Sequence, residues 1–349
     1  MREYDIVIIG AGPAGSNLAR LLDKKFKVLI IEKKSMIDSN AKCCGGLLAP
    51  DAQKSLASQN LSIPKEILVS PQVFAVKVID FDNNLEKYYQ RFYYNMNRGK
   101  FDNWLFSLIP DNVDKKTNSS FKNFEKIDNE YLVEYIENKE KIKVKTKYIV
   151  AADGANSKLR KILDIKNNPK KYISIQEYYN ITTKENINNF VAVFDSEITD
   201  YYSWIIPKEN ILILGTAVEN TGSARKKFEK LKKKLENKAY KFSEKIKVEM
   251  TYINRPLKIN ELFFEKDNIY FIGESGGLIS PSSAEGISYA LNSSKNLAKQ
   301  FNDSENMNKY ILKVKINLFL KKLKSKFMYN KIIRKLIIKS GIFSMSIKG

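Results

Sequence analysis

The 349-residue chain contains no histidine, so any proton transfer it performs must use Tyr, Cys, Lys, a carboxylate or water. Its two cysteines are neighbours, Cys43 and Cys44. An adjacent pair supplies neither a disulfide framework nor a zinc site, so no metal is expected and a reducing, cytoplasmic setting is the default. No apolar run approaches the ~18 residues that a membrane span requires, and Met1 leads directly into a strand pattern, so neither a span nor a secretory signal is expected. Acidic residues are missing from the C-terminal part. From 306 to 349 there are 12 Lys or Arg and no Asp or Glu, which accounts for 12 of the 21 net positive charges.

What is present is a 43% hydrophobic, 11% aromatic chain, an ordinary globular composition long enough for two domains or for one with an insertion. Its organising stretch is Tyr4 to Glu32. A buried strand pattern (Ile6, Val7, Ile8, Ile9) runs into Gly10, Gly12 and Gly15. A helix through Leu18, Leu21 and Leu22 follows, then an apolar strand from Phe26 that ends at Glu32. This is one βαβ unit. Gly10 allows a tight turn, Gly12 lets backbone approach a pyrophosphate, and Gly15 lets helix and strand pack closely; the helix N-terminus offers N–H groups and partial positive charge to phosphates. Glu32 suits the ribose hydroxyls of an adenine nucleotide. FAD and NAD both remain open on this pattern.

Further along, Lys42 to Pro50 is a glycine-containing loop and Asp51 to Leu56 opens a helix. Gln72 to Asp80 and Lys87 to Met96 read as a hairpin. Asn97 to Pro110 carries a helix with Phe101, Leu105 and Leu108. Lys126 to Tyr135 and Lys139 to Lys147 suggest a second hairpin, and Tyr148 to Ala152 a buried strand delivering Asp153-Gly154. Strands are expected at 173–181, 190–195, 202–207 and 211–218, then a charged, solvated helix from Ser223 to Glu244. Ile269 to Leu291 repeats the N-terminal logic: a buried strand, a Gly-rich loop, and a helix opening near Ala284. Three separated segments are thus expected to converge on one ligand.

The set Gly10-Ala-Gly12-Pro-Ala14-Gly15, Glu32, Arg98 with Asp102, Asp153-Gly154, Gly273-Glu274 and Pro281 with Glu285-Gly286-Ile287 resembles the FAD-dependent group with the p-hydroxybenzoate hydroxylase fold. Within it, Cys44-Gly45-Gly46, Tyr202-Ser-Trp204-Ile-Ile-Pro207 and the Pro281 to Ile287 segment are most similar to the geranylgeranyl reductase branch. The resemblance implies an α/β fold: a Rossmann-like FAD-binding domain of discontinuous segments (1–70, 98–165 and 265–305), an inserted β-sheet substrate domain (71–97 and 166–264), and basic C-terminal helices (306–349).

It also implies FAD as cofactor. Gly10, Gly12, Ala14 and Gly15 would hold the pyrophosphate, Glu32 and Lys33 the adenosine side, and Arg98 the dinucleotide flank. Asp153, Gly154, Gly273, Glu274, Gly286 and Ile287 would bind the cofactor, Gly276 and Gly277 would lie near the flavin, and Cys43, Cys44, Gly45 and Gly46 on its face. Cys44, Tyr202 and Trp204 would act on the substrate side. Two positions depart from the family pattern: Glu274 stands where Asp is usual, and Ile206 where an aromatic precedes the proline.

The expected activity is reduction of carbon–carbon double bonds in an isoprenoid lipid. The alternatives are an FAD monooxygenase or halogenase, and a flavoprotein electron carrier without its own lipid substrate. The electron donor, NAD(P)H, ferredoxin or quinol, stays open, and a donor protein is one candidate partner. Each singled-out residue also has a plainer reading: Cys43 and Cys44 as turn filling, Trp204 as core, Glu285 as a helix-dipole partner. From Tyr310 to Ile338 a helix placing Leu312, Ile316, Leu320, Leu323 and Phe327 on one face, with lysines elsewhere, suggests attachment to an anionic membrane's inner face, or else a cap on the substrate domain. Nucleic acid is not expected, since no base-reading motif accompanies the charge.

Overall fold

In the computed structural model, which describes residues 1–35, 43–181 and 187–340, the leading βαβ unit forms as expected. Ile6, Val7 and Ile8 are fully buried in β1 (Arg2–Ile9), which leads through α1 (Pro13–Leu21) to β2 (Val28–Ile31). Lys42 and residues 341–349 of the basic C-terminal region lie outside the described residues. The chain continues through β3 (Leu47–Leu48), α2 (Pro50–Ala57), the hairpin β4 (Val73–Asp80) and β5 (Leu85–Asn95), α3 (Arg98–Ser107) and β6 (Asp114–Lys116). Then come β7 (Ser120–Ile127), β8 (Glu130–Glu137), β9 (Glu140–Ala151) and α4 (Lys158–Ile162).

The expected second hairpin is corrected here. Asp128 takes a left-handed turn conformation inside the run read as one strand, which makes a three-stranded meander, and the buried strand at Tyr148 is simply the end of β9. β9 uses both edges: it pairs antiparallel with β8 and parallel with β1.

The four strands expected between 173 and 218 are β10 (Lys170–Asn180), β11 (Phe190–Phe194), β12 (Ser203–Lys208) and β13 (Ile211–Glu219). The charged helix is shorter than its charge pattern suggests. α5 (Ala224–Glu236) stops after its last buried residue, Leu235, and the chain then forms an unanticipated strand, β14 (Lys245–Arg255). β15 (Glu265–Lys266), β16 (Ile269–Phe271), α6 (Ile287–Asp303), α7 (Asn308–Tyr329) and α8 (Lys331–Ser340) complete it. α6 opens three residues later than expected because Ala284 is left-handed (φ 52°) and Gly286 is the N-cap.

Two sheets result. The first runs β15-β16-β9-β1-β2-β6, with β8 attached to β9 and β7 to β8; the second runs β14-β10-β13-β12-β11-β4-β5-β3. In the first sheet β16, β9, β1 and β2 are parallel neighbours, and helices α1 and α6 pack on each other beside them. Their C-terminal ends lie side by side: Ala152 N donates to Ile9 O (2.8 Å), Ile272 N to Ala151 O (3.0 Å), and Gly10 N to Ile31 O (2.8 Å). This is the edge at which parallel α/β sheets bind ligands.

Candidate functional site

The three strand ends open into one cavity of about 1050 Å³, which also reaches the inner face of the second sheet. At its polar end, Gly10 has φ 103°, and a side chain there would meet Ala152 O at 2.6 Å; at Gly15 it would meet Gly10 O at 1.9 Å. Gly12 has nothing within 4 Å of such a position. The first and third glycines therefore serve packing, while the second faces open space with the N-terminus of α1 behind it.

Glu32 accepts from Ala11 N (2.7 Å) and Lys34 N (3.0 Å), which ties the end of β2 to the turn. Asp153 accepts from Lys158 N through Oδ2 (2.7 Å), while its Oδ1 is buried without a hydrogen-bond partner; burial raises its carboxyl above the usual range. Arg98 donates to Asp102 (2.7 Å). Burial opposes its charge, but Asp102, and Cys44 beside it, hold the guanidinium above its ordinary pKa.

Glu274 accepts from Asn254 N (2.9 Å), so this carboxylate clamps the unanticipated β14 to the loop after β16. Glu285 accepts from Ser288 N (2.9 Å) and its hydroxyl (2.8 Å), capping α6 while also lining the cavity. Burial raises its carboxyl as well.

The loop carrying Cys43, Cys44, Gly45 and Gly46 lines the cavity. Both thiols are free. Burial pushes the Cys43 thiol up to about 12, so it keeps its proton. The loop is held from behind by Lys208, which donates to Asn95 Oδ1 (2.6 Å), Met96 O (2.7 Å) and Gly46 O (3.4 Å). Burial brings this ammonium down to about 8.

Beyond the loop the wall is aromatic. Trp204 on β12 is 6% exposed and lies across its β13 partner Gly215, where any side chain would sit 2.3 Å from the indole. Its Nε1 donates to Gln176 Oε1 (3.0 Å), and Gln176 in turn donates to Cys43 Sγ (3.1 Å) and the Tyr178 hydroxyl (3.3 Å). Tyr202 stacks at a tilt on Trp204 (5.6 Å) and donates to Ser283 O (2.9 Å); burial pushes its hydroxyl well up. Trp204 is thus both core and cavity wall.

Of the sequence-predicted site residues, the structure brings Gly10, Gly12, Ala14, Glu32, Lys33, Cys43, Cys44, Gly45, Gly46, Arg98, Asp153, Gly154, Tyr202, Trp204, Gly273, Glu274, Gly286 and Ile287 to this cavity. Gly15 lies behind the turn. Gly276 and Gly277 are a correction: they do not line the cavity but back onto the chain at 261–263, where side chains would meet Phe263 O at 2.8 Å and Glu261 O at 2.9 Å. Gln176, Lys208, the β5 pair Tyr89 and Tyr93, and Met328 of α7 were missed. Lys87 to Met96 read as one strand of a hairpin, but only pairing tells which face looks inward.

Residues 113–306 match the family described as FAD binding domain. Protein CbrA from Escherichia coli (strain HS) is 37% identical over 98% of this chain and 94% of that protein; Protein CbrA from Shigella flexneri shares the same identity and coverage. Among solved structures, a geranylgeranyl bacteriochlorophyll reductase-like protein from Thermoplasma acidophilum superposes with TM-score 0.81 at 19% identity, covering 99% of this chain and 92% of that one. A flavoprotein/dehydrogenase from Cytophaga hutchinsonii gives 0.73 at 15% identity, covering 97% and 88%. The flavin-dependent brominase Bmp2 gives 0.66 at 18%, covering 97% and 92%. The fold is the p-hydroxybenzoate hydroxylase type that the motifs implied.

Proposed function

This chain belongs to the FAD binding domain family, and on that premise we propose that it is an FAD-dependent reductase that saturates carbon–carbon double bonds in a long apolar, isoprenoid-type substrate. The cavity's polar end fits FAD in three respects: open space in front of Gly12, a helix N-terminus for the pyrophosphate, and an unpartnered Asp153 Oδ1 facing a hydroxyl-rich ligand. Glu32 keeps lone pairs for ribose hydroxyls although it already accepts two backbone bonds. Gly10, Gly12 and Ala14 would hold the pyrophosphate, with Arg98 at the flank and Cys43 to Gly46 against the flavin.

The observation that carries the reductase reading is that one cavity joins this polar end to an aromatic one, with Cys43–Gly46 in its wall. When reduced, FAD supplies the hydride. The protein's part is to exclude water, orient the chain of the substrate and provide a proton. Trp204, Tyr89, Tyr93, Phe190 and Ile206 supply the water-excluding wall. The Tyr202 hydroxyl is already committed to Ser283 O (2.9 Å) and Cys43 is buried against Gln176, so the acids proposed are Cys44 Sγ, the Glu285 carboxyl and water.

The test is to identify by mass spectrometry any lipid that copurifies with the yellow protein, then to reduce the flavin chemically under argon. A gain of about two daltons per saturated bond supports the reading. Turnover that requires oxygen would instead select the monooxygenase or halogenase chemistry performed on related folds, and a flavin that reduces without altering any apolar compound would leave an electron carrier.

A further inference from the structure

α7 carries two apolar faces on opposite sides. At about 100° per residue, Tyr310, Val314 and Leu318 fall in one arc, and these are buried in the core beneath the first sheet's helices. Leu312, Ile316, Phe319, Leu320 and Phe327 fall in the opposite arc and are each between 50% and 60% exposed. This departs from a cap on the substrate domain made by that face: the face picked out by its apolar spacing points outward, and a different one docks. Lysines separate the two arcs, Lys313 along one edge and Lys315, Lys322 and Lys326 along the other. α8 extends the outer surface with Ile332 and Leu336, 71% and 64% exposed, while Arg334 on its other side anchors it to Asp80.

A helix already docked by one face gains nothing in water from a second apolar row, and contiguous exposed apolar surface rimmed by charge marks an interaction site. Between 308 and 340 the chain carries 11 Lys or Arg and no Asp or Glu. The occupant must therefore be apolar within and anionic at its rim. A second copy of this chain would set Lys313, Lys315, Lys322 and Lys326 against themselves, and a nucleic acid would leave the apolar row wet.

We propose that the outer face of α7, continued by α8, docks on an anionic lipid bilayer. Leu312, Ile316, Phe319, Leu320 and Phe327 enter the acyl boundary, and the flanking lysines reach lipid phosphates along their own aliphatic stems. The opposite side of the same helix contributes Lys321, Lys324 and Met328 to the cavity wall, so docking brings the cavity to the lipid surface. Binding needs no turnover, and the proposal stands apart from the reaction proposed above.

The FAD-loaded full chain is tested by co-sedimentation with vesicles of phosphatidylcholine, alone or mixed with phosphatidylglycerol, at low and high salt. Binding to the mixed vesicles is expected, weakening with salt and falling to little on phosphatidylcholine alone. The triple variant Ile316→Glu, Phe319→Glu, Leu320→Glu should weaken it at least about tenfold with flavin absorbance unchanged. Lys313→Gln, Lys322→Gln and Lys326→Gln should each weaken it about fivefold, and this set decides the matter should the triple variant misfold. No binding to the mixed vesicles at low salt overturns the proposal, as does undiminished binding by both sets of variants. A dimer in solution that the triple variant converts to monomer also overturns it, because the face then joins two copies.

Discussion

The guanidinium of Arg334 on α8 grips both oxygens of Asp80 at the end of β4, at 2.7 and 3.0 Å, with a third bond to Asp82 at 2.6 Å. Arg334 is 5% and Asp80 0% exposed. This buried pair holds the end of the chain to the second sheet. Because breaking a buried pair from one side strands a charge, Arg334→Met should cost about 3–5 kcal/mol in urea unfolding. A loss below about 1 kcal/mol would mean that Asp80 and Asp82 find water once the arginine is gone.

Gly12 and Gly15 make opposite predictions although they sit three residues apart. Gly12→Ala meets no atom and takes an ordinary φ of −67°, so the apoprotein should keep its thermal midpoint while FAD binding, followed by fluorescence titration, weakens by about tenfold or more. Gly15→Ala drives a carbon to 1.9 Å from Gly10 O and should destabilise the apoprotein itself by about 1–3 kcal/mol. Equal effects of the two on apoprotein stability would show that Gly12 does not face the cofactor.

Lys208 gives a pH dependence of unusual sign. It titrates at about 8 in the fold against an ordinary 10.5. Below 8 both folded and unfolded chains hold the proton. Between the two values the unfolded chain binds more, so its contribution to stability rises with pH, by at most about 1.4 kcal/mol per unit. Wild type should therefore gain on Lys208→Met between pH 8 and 10 in parallel urea titrations. A flat difference would place the ammonium in contact with solvent.

Gly215→Ala puts a methyl 2.3 Å from the Trp204 indole, which must move toward the cavity. Destabilisation of about 1–3 kcal/mol is expected, with FAD content unchanged and uptake of the proposed apolar substrate lost. Loss of FAD instead would mean that Trp204 borders the cofactor rather than the substrate end.

Tyr202→Phe removes a hydroxyl that donates to Ser283 O and is held protonated by burial. The proposed double-bond reduction should fall by no more than about tenfold, whereas removal of an acid would cost about 10²–10⁴-fold. Single-turnover rates on both proteins decide it.

The sequence by itself determined the nucleotide end. Gly10, Gly12, Gly15 and Glu32 act within one βαβ unit, where strand and helix periods and turn chemistry are properties of neighbours along the chain, and Asp153 and Gly273 follow the same local grammar. Tertiary structure decided the rest. The aromatic wall is assembled from alternate residues of β5, β11 and β12, whose inward face is fixed only by pairing register, and Gln176 and Lys208 acquire their roles from partners brought from far along the chain. Gly276 and Gly277 resemble ligand-facing glycines until the backbone at 261–263 is seen packed against them. On α7 the apolar spacing located a face correctly but could not say whether protein covers it, because burial depends on what the rest of the chain places opposite, and here it covers the other side.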